Sequence, residues 1–400
     1  MSADLDSFHF LLSETGRRYL RLLGDEPITE SSHLALAVRL RQELDQEKTH
    51  AVLETALLRQ RAASKFRRAA EMYFTRAGLE QASSESVSKY RAGRFSNAGF
   101  KSIADLGCGI GGDALALAER HFVVGIDRKL QRLAMARENV RVHGGAQRFQ
   151  PLLADLTELP ALSVDAFFAD PGRRDVHGKR IYAPDQYEPP LTPLLSRWLP
   201  RVPHGAVKVS PGIDYELIPE GASLEFVSLH GEVKEGLLWF GDLHDGSQRR
   251  ATLLPGGDTL SDLDFSGTAI VTTRPGRDMY EPDGAVIRAH LVESLAQQLG
   301  ATKIDEDIAF LTSETAVATP FARCFVLEES MPFHLKKLRA RLREMGVGRV
   351  TVKKRGSPLS PEALQRRLDL DGDQHAIVFL THVQGDPFVL IGSEYLTMKG

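Results

Sequence analysis

Three aspartates and a run of glycines carry the chemistry legible in this chain. Asp105-Leu106-Gly107-Cys108-Gly109-Ile110-Gly111-Gly112-Asp113 lies between Ser102-Ile103-Ala104, short enough for a buried strand, and Ala114 to Arg120, rich in helix formers. A strand, a glycine turn and a helix in that order bring backbone N–H groups and bare Cα atoms against a nucleotide-like ligand. Phe122-Val123-Val124-Gly125-Ile126-Asp127 reads as a second buried strand ending in an acid. That acid lies about twenty residues past the glycines, where a β-α-β unit offers a carboxylate to a ribose. An adenosine-containing ligand is implied. The glycines alone also satisfy the dinucleotide pattern G-x-G-x-x-G at Gly107, Gly109 and Gly112. Asp105 discriminates, because a carboxylate at the strand tip repels a pyrophosphate and complements a cation.

S-adenosylmethionine carries no phosphate and bears both a sulfonium and an ammonium. The stretch resembles motif I of the class I S-adenosylmethionine-dependent methyltransferases, [DE]-x-G-x-G-x-G, matched at Asp105, Gly107, Gly109 and Gly111. The resemblance implies a cofactor site made by these four residues with Cys108, by Asp127 with Arg128, and by Asp155 with Leu156 after the third strand. An acid at the Asp155 position accepts a hydrogen bond from the adenine amino group in that family. Read from its neighbours alone, Asp155 serves equally as a loop or N-cap residue before Leu156.

Val164 to Ala169 runs as a fourth strand into Asp170-Pro171-Gly172-Arg173-Arg174. Open α/β sheets bind ligands beyond the carboxyl ends of their strands, so Asp170 sits where a methyl acceptor belongs. Asp170-Pro171 resembles the start of the [DN]-P-P-[YFW] motif of methyltransferases that act on exocyclic amino groups, in which the carboxylate orients the amine. Methyl transfer needs alignment and a dry site more than a strong base, since the leaving group is neutral. Gly172 and Arg173 replace the second proline and the aromatic, so a base-stacking ring is missing from its usual place. Asp170, Pro171 and Arg173 are the catalytic candidates. Arg173 and Arg174 can bind a phosphate or stack on a base; they can also form a solvated loop held by Asp175. Asp170 itself can be a turn residue before proline.

These residues need a sheet to hold them. Lys129 to His143 has the apolar periodicity of a helix, Gln147 to Leu153 is a third strand, and Gly205 to Ser210 a fifth. Leu224 to Leu229 and Gly236 to Phe240 pair as a terminal hairpin with a turn near Glu232, which separates this fold from dinucleotide-binding ones; Arg250 to Leu254 adds another strand. Residues 1–95 read as helical: a helix capped by Thr29 or Ser31-Ser32, then Val52 to Phe74 continuing helically. Gln81, Ala82 and Ser83 precede the first strand where a segment can fold over the cofactor, and Tyr73 and Phe74 read as core. Residues 271–400 have another rhythm: helix Val286–Leu299, strand Arg323–Glu328, a basic helix Pro332–Met345, strands Arg349–Lys353 and Ala376–Val383, and a helix Pro361–Leu368.

The composition is that of an ordinary globular chain, 42% hydrophobic and 26% charged over 400 residues, enough for two or three domains. No apolar run is long enough to span a membrane and the N-terminus is not a signal peptide, so no membrane partner is expected. Two cysteines suit a reducing cytoplasm, and no Cys/His cluster has zinc spacing, so no metal is expected. The net charge of −3 is uneven: Arg323–Arg367 holds 12 Lys+Arg against 4 Asp+Glu, and Arg59–Arg76 holds 6 against 1. Basic islands on an acidic body are an electrostatic footprint for a polyanion, or else solvated helix faces.

Thr351-Val352-Lys353-Lys354-Arg355-Gly356 with its following helix resembles the THUMP-like domain appended to a family of bacterial methyltransferases. The Asp-Pro-Gly-Arg-Arg loop and Glu281-Pro282-Asp283-Gly284-Ala285-Val286-Ile287-Arg288-Ala289 are similar to that family too, and the likeness covers the chain from about residue 60 onward. It implies RNA (tRNA or rRNA) as the partner, with Lys353, Lys354 and Arg355 on phosphates. The expected fold class is α/β: a Rossmann-like class I methyltransferase sheet over 96–270, an N-terminal helical region over 1–95 and a C-terminal α+β, THUMP-like domain over 271–400. The expected function is S-adenosylmethionine-dependent methylation of RNA. The alternatives are a small-molecule or protein methyltransferase, and an RNA-binding module on a methyltransferase fold without catalysis.

Overall fold

The computed structural model describes residues 3–24, 26–173, 181–264 and 267–395. It divides into two compact units, 1–222 with 237–245, and 223–236 with 246–400. In the first unit β1 (Ser102–Leu106), β2 (Phe122–Asp127), β3 (Phe149–Leu153), β4 (Ala166–Ala169) and β5 (Gly205–Val209) follow the spatial order β3-β2-β1-β4-β5. All four neighbouring pairs are parallel. β1, β4 and β5 are almost wholly buried, and continuous apolar runs are what a sheet covered on both faces requires. The helices Ala114–Leu117, Leu130–Val142 and Leu191–Trp198 belong to this sheet's layers.

The N-terminal helices belong to the same unit. Thr29 caps Glu30–Leu40 through a capping box with Ser32, and Asp45 caps Gln46–Ala62 by accepting from the Lys48 N–H. The helix expected over Val52–Phe74 stops at Ala62. Lys65 and Arg67 are drawn instead into bonds with the 79–85 segment: Lys65 Nζ donates to the carbonyls of Leu79 and Ala82, and Arg67 N donates to Glu85. Non-local bonds win over a helical pattern there. Tyr73 and Phe74 are core, Tyr73 meeting Phe8 edge-on at 5.3 Å.

β6 (Ser223–Leu229) of the second unit turns through His230-Gly231, both at positive φ, into β7 (Glu232–Phe240), of which Glu232–Gly236 belong to this unit, so the hairpin turn falls just before Glu232. β6 pairs in parallel with β8 (Arg249–Leu254), and β8 antiparallel with β9 (Asp258–Ser261). A second sheet contains β10 (Asp278–Pro282), β11 (Thr302–Lys303), β12 (Leu311–Ser313), β13 (Ala322–Pro332), β14 (Val347–Lys354), β15 (Gln374–Val383) and β16 (Asp386–Glu394), in the order β11-β12-β10-β13-β16-β15-β14. The period-2 alternation along β15 divides its core. Val378 and Leu380 join Leu338, Leu342, Leu364 and Leu368 of the helices Leu335–Glu344 and Pro361–Leu368. Ile377 and Phe379 join Met279, Phe310 and Phe325 on the other face. The helix expected over Val286–Leu299 is two helices, Gly284–Arg288 and Val292–Leu299. Between them His290 takes φ 54° and Leu291 N bonds back to Val286 O at 3.0 Å, a left-handed C-terminal stop.

Candidate functional site

Parallel register makes the site. Asp105 lies opposite Phe168 and Leu106 opposite Ala169, so the carboxyl ends of β1 and β4 bring Asp105 and Asp170 to one sheet edge. There a cavity of about 340 Å³ opens. It is lined by Asp105, Gly107, Cys108, Gly109, Asp127 and Arg128 and, across from them, by Asp155, Leu156 and Asp170. Of the nine residues expected to bind a cofactor, all but Gly111 border it. Gly111 acts from behind: at φ +86° a Cβ on it would come within 3.1 Å of the Ala136 Cα, so its bareness lets the turn close onto the helix Leu130–Val142.

The carboxylates differ in what holds them. Asp127 is 5% exposed and accepts from the backbone N–H groups of Gly109 (3.2 Å) and Lys129 (2.8 Å), which fixes its orientation before any ligand arrives. Asp155 accepts from the Thr157 N–H and hydroxyl at 2.8 and 2.7 Å, and these bonds hold its carboxyl below the usual range. Its local turn role and its place on the cavity wall are therefore both present in the structure. Asp105 is 2% exposed, and its Oδ2 has no hydrogen-bond partner among the described residues. Burial, then the neighbouring Asp113 and Asp170, push its carboxyl well above the usual range, with Arg91 opposing. Arg91, itself buried, is ion-paired with Asp113 and lies 5.1 Å over the Phe168 ring. A buried, unpartnered carboxylate facing a cavity suits a cationic ligand group, and the adjoining glycine turn suits a nucleoside. The Cys108 thiol is buried and pushed up, so it is not a thiolate nucleophile.

At the acceptor end, Asp170 Oδ2 accepts from Lys208 Nζ at 2.7 Å, and the same ammonium donates to Ser83 Oγ at 3.0 Å. Pro171 is buried. Gly172 exchanges two backbone bonds with Glu188, at 2.9 and 3.0 Å, and Arg173 donates to the Val209 carbonyl at 3.0 Å, so Arg173 is tied to β5 and does not line the cavity. Arg174 lies outside the described residues. Arg128 pairs with Glu188 at 2.6 Å on the rim. Gln81 and Ala82 line the cavity, and Ser83 meets Lys208 beside it.

In the second unit the Lys353-Lys354-Arg355 trio divides. Lys353 pairs with Glu281 at 2.5 Å and sits over the Phe325 ring. Arg355 lies over the Phe310 ring, and burial holds its guanidinium below its ordinary value. Lys354 alone is exposed and unpaired.

Lys208 and Arg91 escaped the sequence reading. The signal for Lys208 was available: a lysine inside the buried strand Gly205-Ala206-Val207-Lys208-Val209 must have a partner. Arg91 had none, since helix Glu85–Asn97 carries other cations.

Comparisons with known proteins agree with this geometry. Residues 103–171 match a methyltransferase domain, residues 322–394 a THUMP domain-like family, and residues 4–62 a domain of unknown function. Two uncharacterised S-adenosylmethionine-dependent methyltransferases from Mycobacterium tuberculosis strains CDC 1551 / Oshkosh and ATCC 25618 / H37Rv are each 34% identical over 349 residues, 83% of this chain and 92% of theirs. A crystal structure of a candidate methyltransferase from Porphyromonas gingivalis W83 superimposes with a TM-score of 0.73 at 24% identity, over 92% of this chain and 99% of that one.

Proposed function

The chain belongs to the S-adenosylmethionine-dependent methyltransferases, and from that premise we propose that its acceptor is RNA, gripped by the THUMP-like segment. S-adenosylmethionine is its cofactor and, when bound, supplies an activated methyl group on a sulfur that departs as a neutral thioether. In this reading Asp105 meets the cofactor's cations, the turn Gly107 to Gly111 gives its backbone room, Asp127 with Arg128 takes the ribose end, and Asp155 with Leu156 borders the base. Asp170 receives the acceptor's hydrogen, Pro171 stiffens its backbone, and Arg173 anchors the loop to β5. Residues 96–270 do the chemistry, 271–400 bind the nucleic acid, and 1–95 brace the cofactor domain.

The observation that carries the RNA reading is a set of exposed cations within residues 336–367 that have no acidic partner among the described residues. Lys336, Lys337, Arg349, Lys354, Arg366 and Arg367 are exposed, and none has an acidic partner among the described residues. Arg349 and Arg366, with Thr351 and His375, line a surface groove of about 580 Å³ at the edge strand β14. Unpaired cations along a groove with hydroxyl and imidazole donors fit a phosphate backbone. Lys354 is the member of the expected trio that supports this reading; Lys353 and Arg355 hold the scaffold beneath it.

No helix among the described residues is long and apolar enough to cross a membrane, and no group of three metal-ligating side chains occurs among them. The two free, buried cysteines support a reducing, cytoplasmic setting. The test is transfer of labelled methyl from S-adenosylmethionine to total RNA, a protein lysate and a metabolite extract, comparing the full chain with Asp170→Ala. Label in RNA that vanishes in the variant is expected. Label in protein or small molecules would overturn the RNA reading, and no label with cofactor binding intact would favour a silent binding module.

A further inference from the structure

We propose that Lys208 is the positioning residue of the acceptor site: it clamps Asp170 by one oxygen and leaves the other oxygen for an N–H or O–H of the acceptor. The inference rests on the methyltransferase activity and on no assumption about RNA.

Lys208 stands in the middle of a buried strand with its side chain 5% exposed, and the Asp170 side chain is 22% exposed. A lysine is buried at such cost only where its charge is matched. Its Nζ reaches Asp170 Oδ2 at 2.7 Å and Ser83 Oγ at 3.0 Å, so one ammonium joins the ends of β4 and β5 to the segment whose Gln81 and Ala82 wall the cavity. Asp170 Oδ1 has no hydrogen-bond partner among the described residues, and Asp170 borders the cavity. An acceptor carbon has no polar hydrogen to donate to that oxygen, whereas an amino or hydroxyl group does. The clamp also stands in for the aromatic missing after Pro171: a planar ring would orient the acceptor by stacking, and a fixed carboxylate orients it by one directed hydrogen bond.

Charge makes the clamp necessary. Among the described residues Asp170 acts on Asp105 of β1, which Asp113, Asp127 and Arg91 also surround, and on Tyr187, which Arg173 also neighbours. Arg91 is spent on Asp113, and Arg173 donates to a backbone carbonyl. Without Lys208, Asp170 would face Asp105 with no cation bonded to it.

The experiment is calorimetric binding of S-adenosylmethionine to the full chain from pH 5 to pH 8, for wild type, Lys208→Arg, Lys208→Met and the double variant Lys208→Met/Asp170→Asn. Affinity falls on acidification as the carboxylates near the cofactor's cations protonate. In Lys208→Met the midpoint of that fall should rise by about one pH unit, the low end of what an adjacent opposite charge does to a carboxylate. Lys208→Arg should keep the wild-type midpoint, and the double variant should bring it back down, because Asp170 is the carboxylate that Lys208 holds. Hydrogen exchange of the amides in 79–84 should quicken in Lys208→Met and not in Lys208→Arg. A Lys208→Met midpoint equal to wild type, or equal to that of the double variant, overturns the proposal. If Lys208→Met does not fold, Lys208→Gln replaces it with the same expectations. No acceptor is needed, so this result and that of the RNA-labelling test are independent.

Discussion

The two charged regions of the molecule are built on opposite plans. At the carboxyl ends of β1 and β4 the charges are buried and tied in advance: Asp127 by two backbone N–H groups, Asp113 by Arg91 and Asp170 by Lys208, with Asp105 Oδ2 left over. Around β14, Lys353 aside, Lys336, Lys337, Arg349, Lys354, Arg366 and Arg367 are exposed and have no acidic partner among the described residues, and they lie on long side chains. The first arrangement recognises one small ligand by a fixed geometry in which removing one partner is costly. The second recognises a polyanion through many individually weak, adaptable and salt-sensitive contacts. Affinity should therefore break at a single residue in the first region and only by degrees in the second.

The sharpest way to break this contrast is Asp105→Asn. It should weaken S-adenosylmethionine by about 100-fold or more, roughly 3 kcal/mol, because it removes a buried carboxylate whose Oδ2 has no partner among the described residues. An unchanged calorimetric dissociation constant would mean that the cavity does not work this way. The same substitution has a second, opposite consequence. Asp105 has its carboxyl raised in the folded state, so between its ordinary value and the raised one the folded chain holds a proton that the unfolded chain lacks. Folding stability without ligand therefore drops as pH rises through that window. Asp105→Asn should flatten the drop and lift the ligand-free melting temperature at neutral pH by about 2–4 °C, the scale of one kcal/mol in a domain of this size.

Next in size is reversal of the exposed face. Lys336→Glu, Lys354→Glu and Arg366→Glu together should cost about 10- to 100-fold in RNA affinity at low salt and leave cofactor affinity within twofold. Filter binding and calorimetry on the same preparation would check both halves. Salt sharpens the distinction: RNA affinity should fall with a slope of about 0.7 per phosphate contacted, while cofactor affinity stays nearly flat. The smallest expected effect is a matched pair within the basic stretch. Lys353→Glu meets Glu281 and should lower the melting temperature by a few degrees, roughly 1 kcal/mol, whereas exposed Lys354→Glu should leave it in place. Equal melting curves would place Lys353 with the exposed cations.

Legibility in the sequence followed the range of the interactions. The glycine turn, Asp127, Asp155 and Asp170 could be read because each lies at a strand end a few residues from its own signal, and they do converge on one cavity. The helix boundary at Ala62 could not, since the bonds that end it run from Lys65 and Arg67 to residues 79–85. β10 and β16 were missed because they are held in place by pairing with β13 across the sheet rather than by their own periodicity. Lys353 and Arg355 looked like phosphate ligands as a charge run; their partners Glu281, Phe325 and Phe310 are 28 to 72 residues away and invisible to local reading.

The break at Ala62 also separates the cavity wall from the helices before it. Lys65 holds the carbonyls of the segment that walls the cofactor cavity, yet it lies just outside residues 4–62, which match a family of their own. A cut at Ala62–Ala63 would leave this anchor with the cavity and detach only helices. Removal of the N-terminal helices would thus leave the cavity wall pinned and would cost contacts such as the one between Arg59 and the Tyr73 ring.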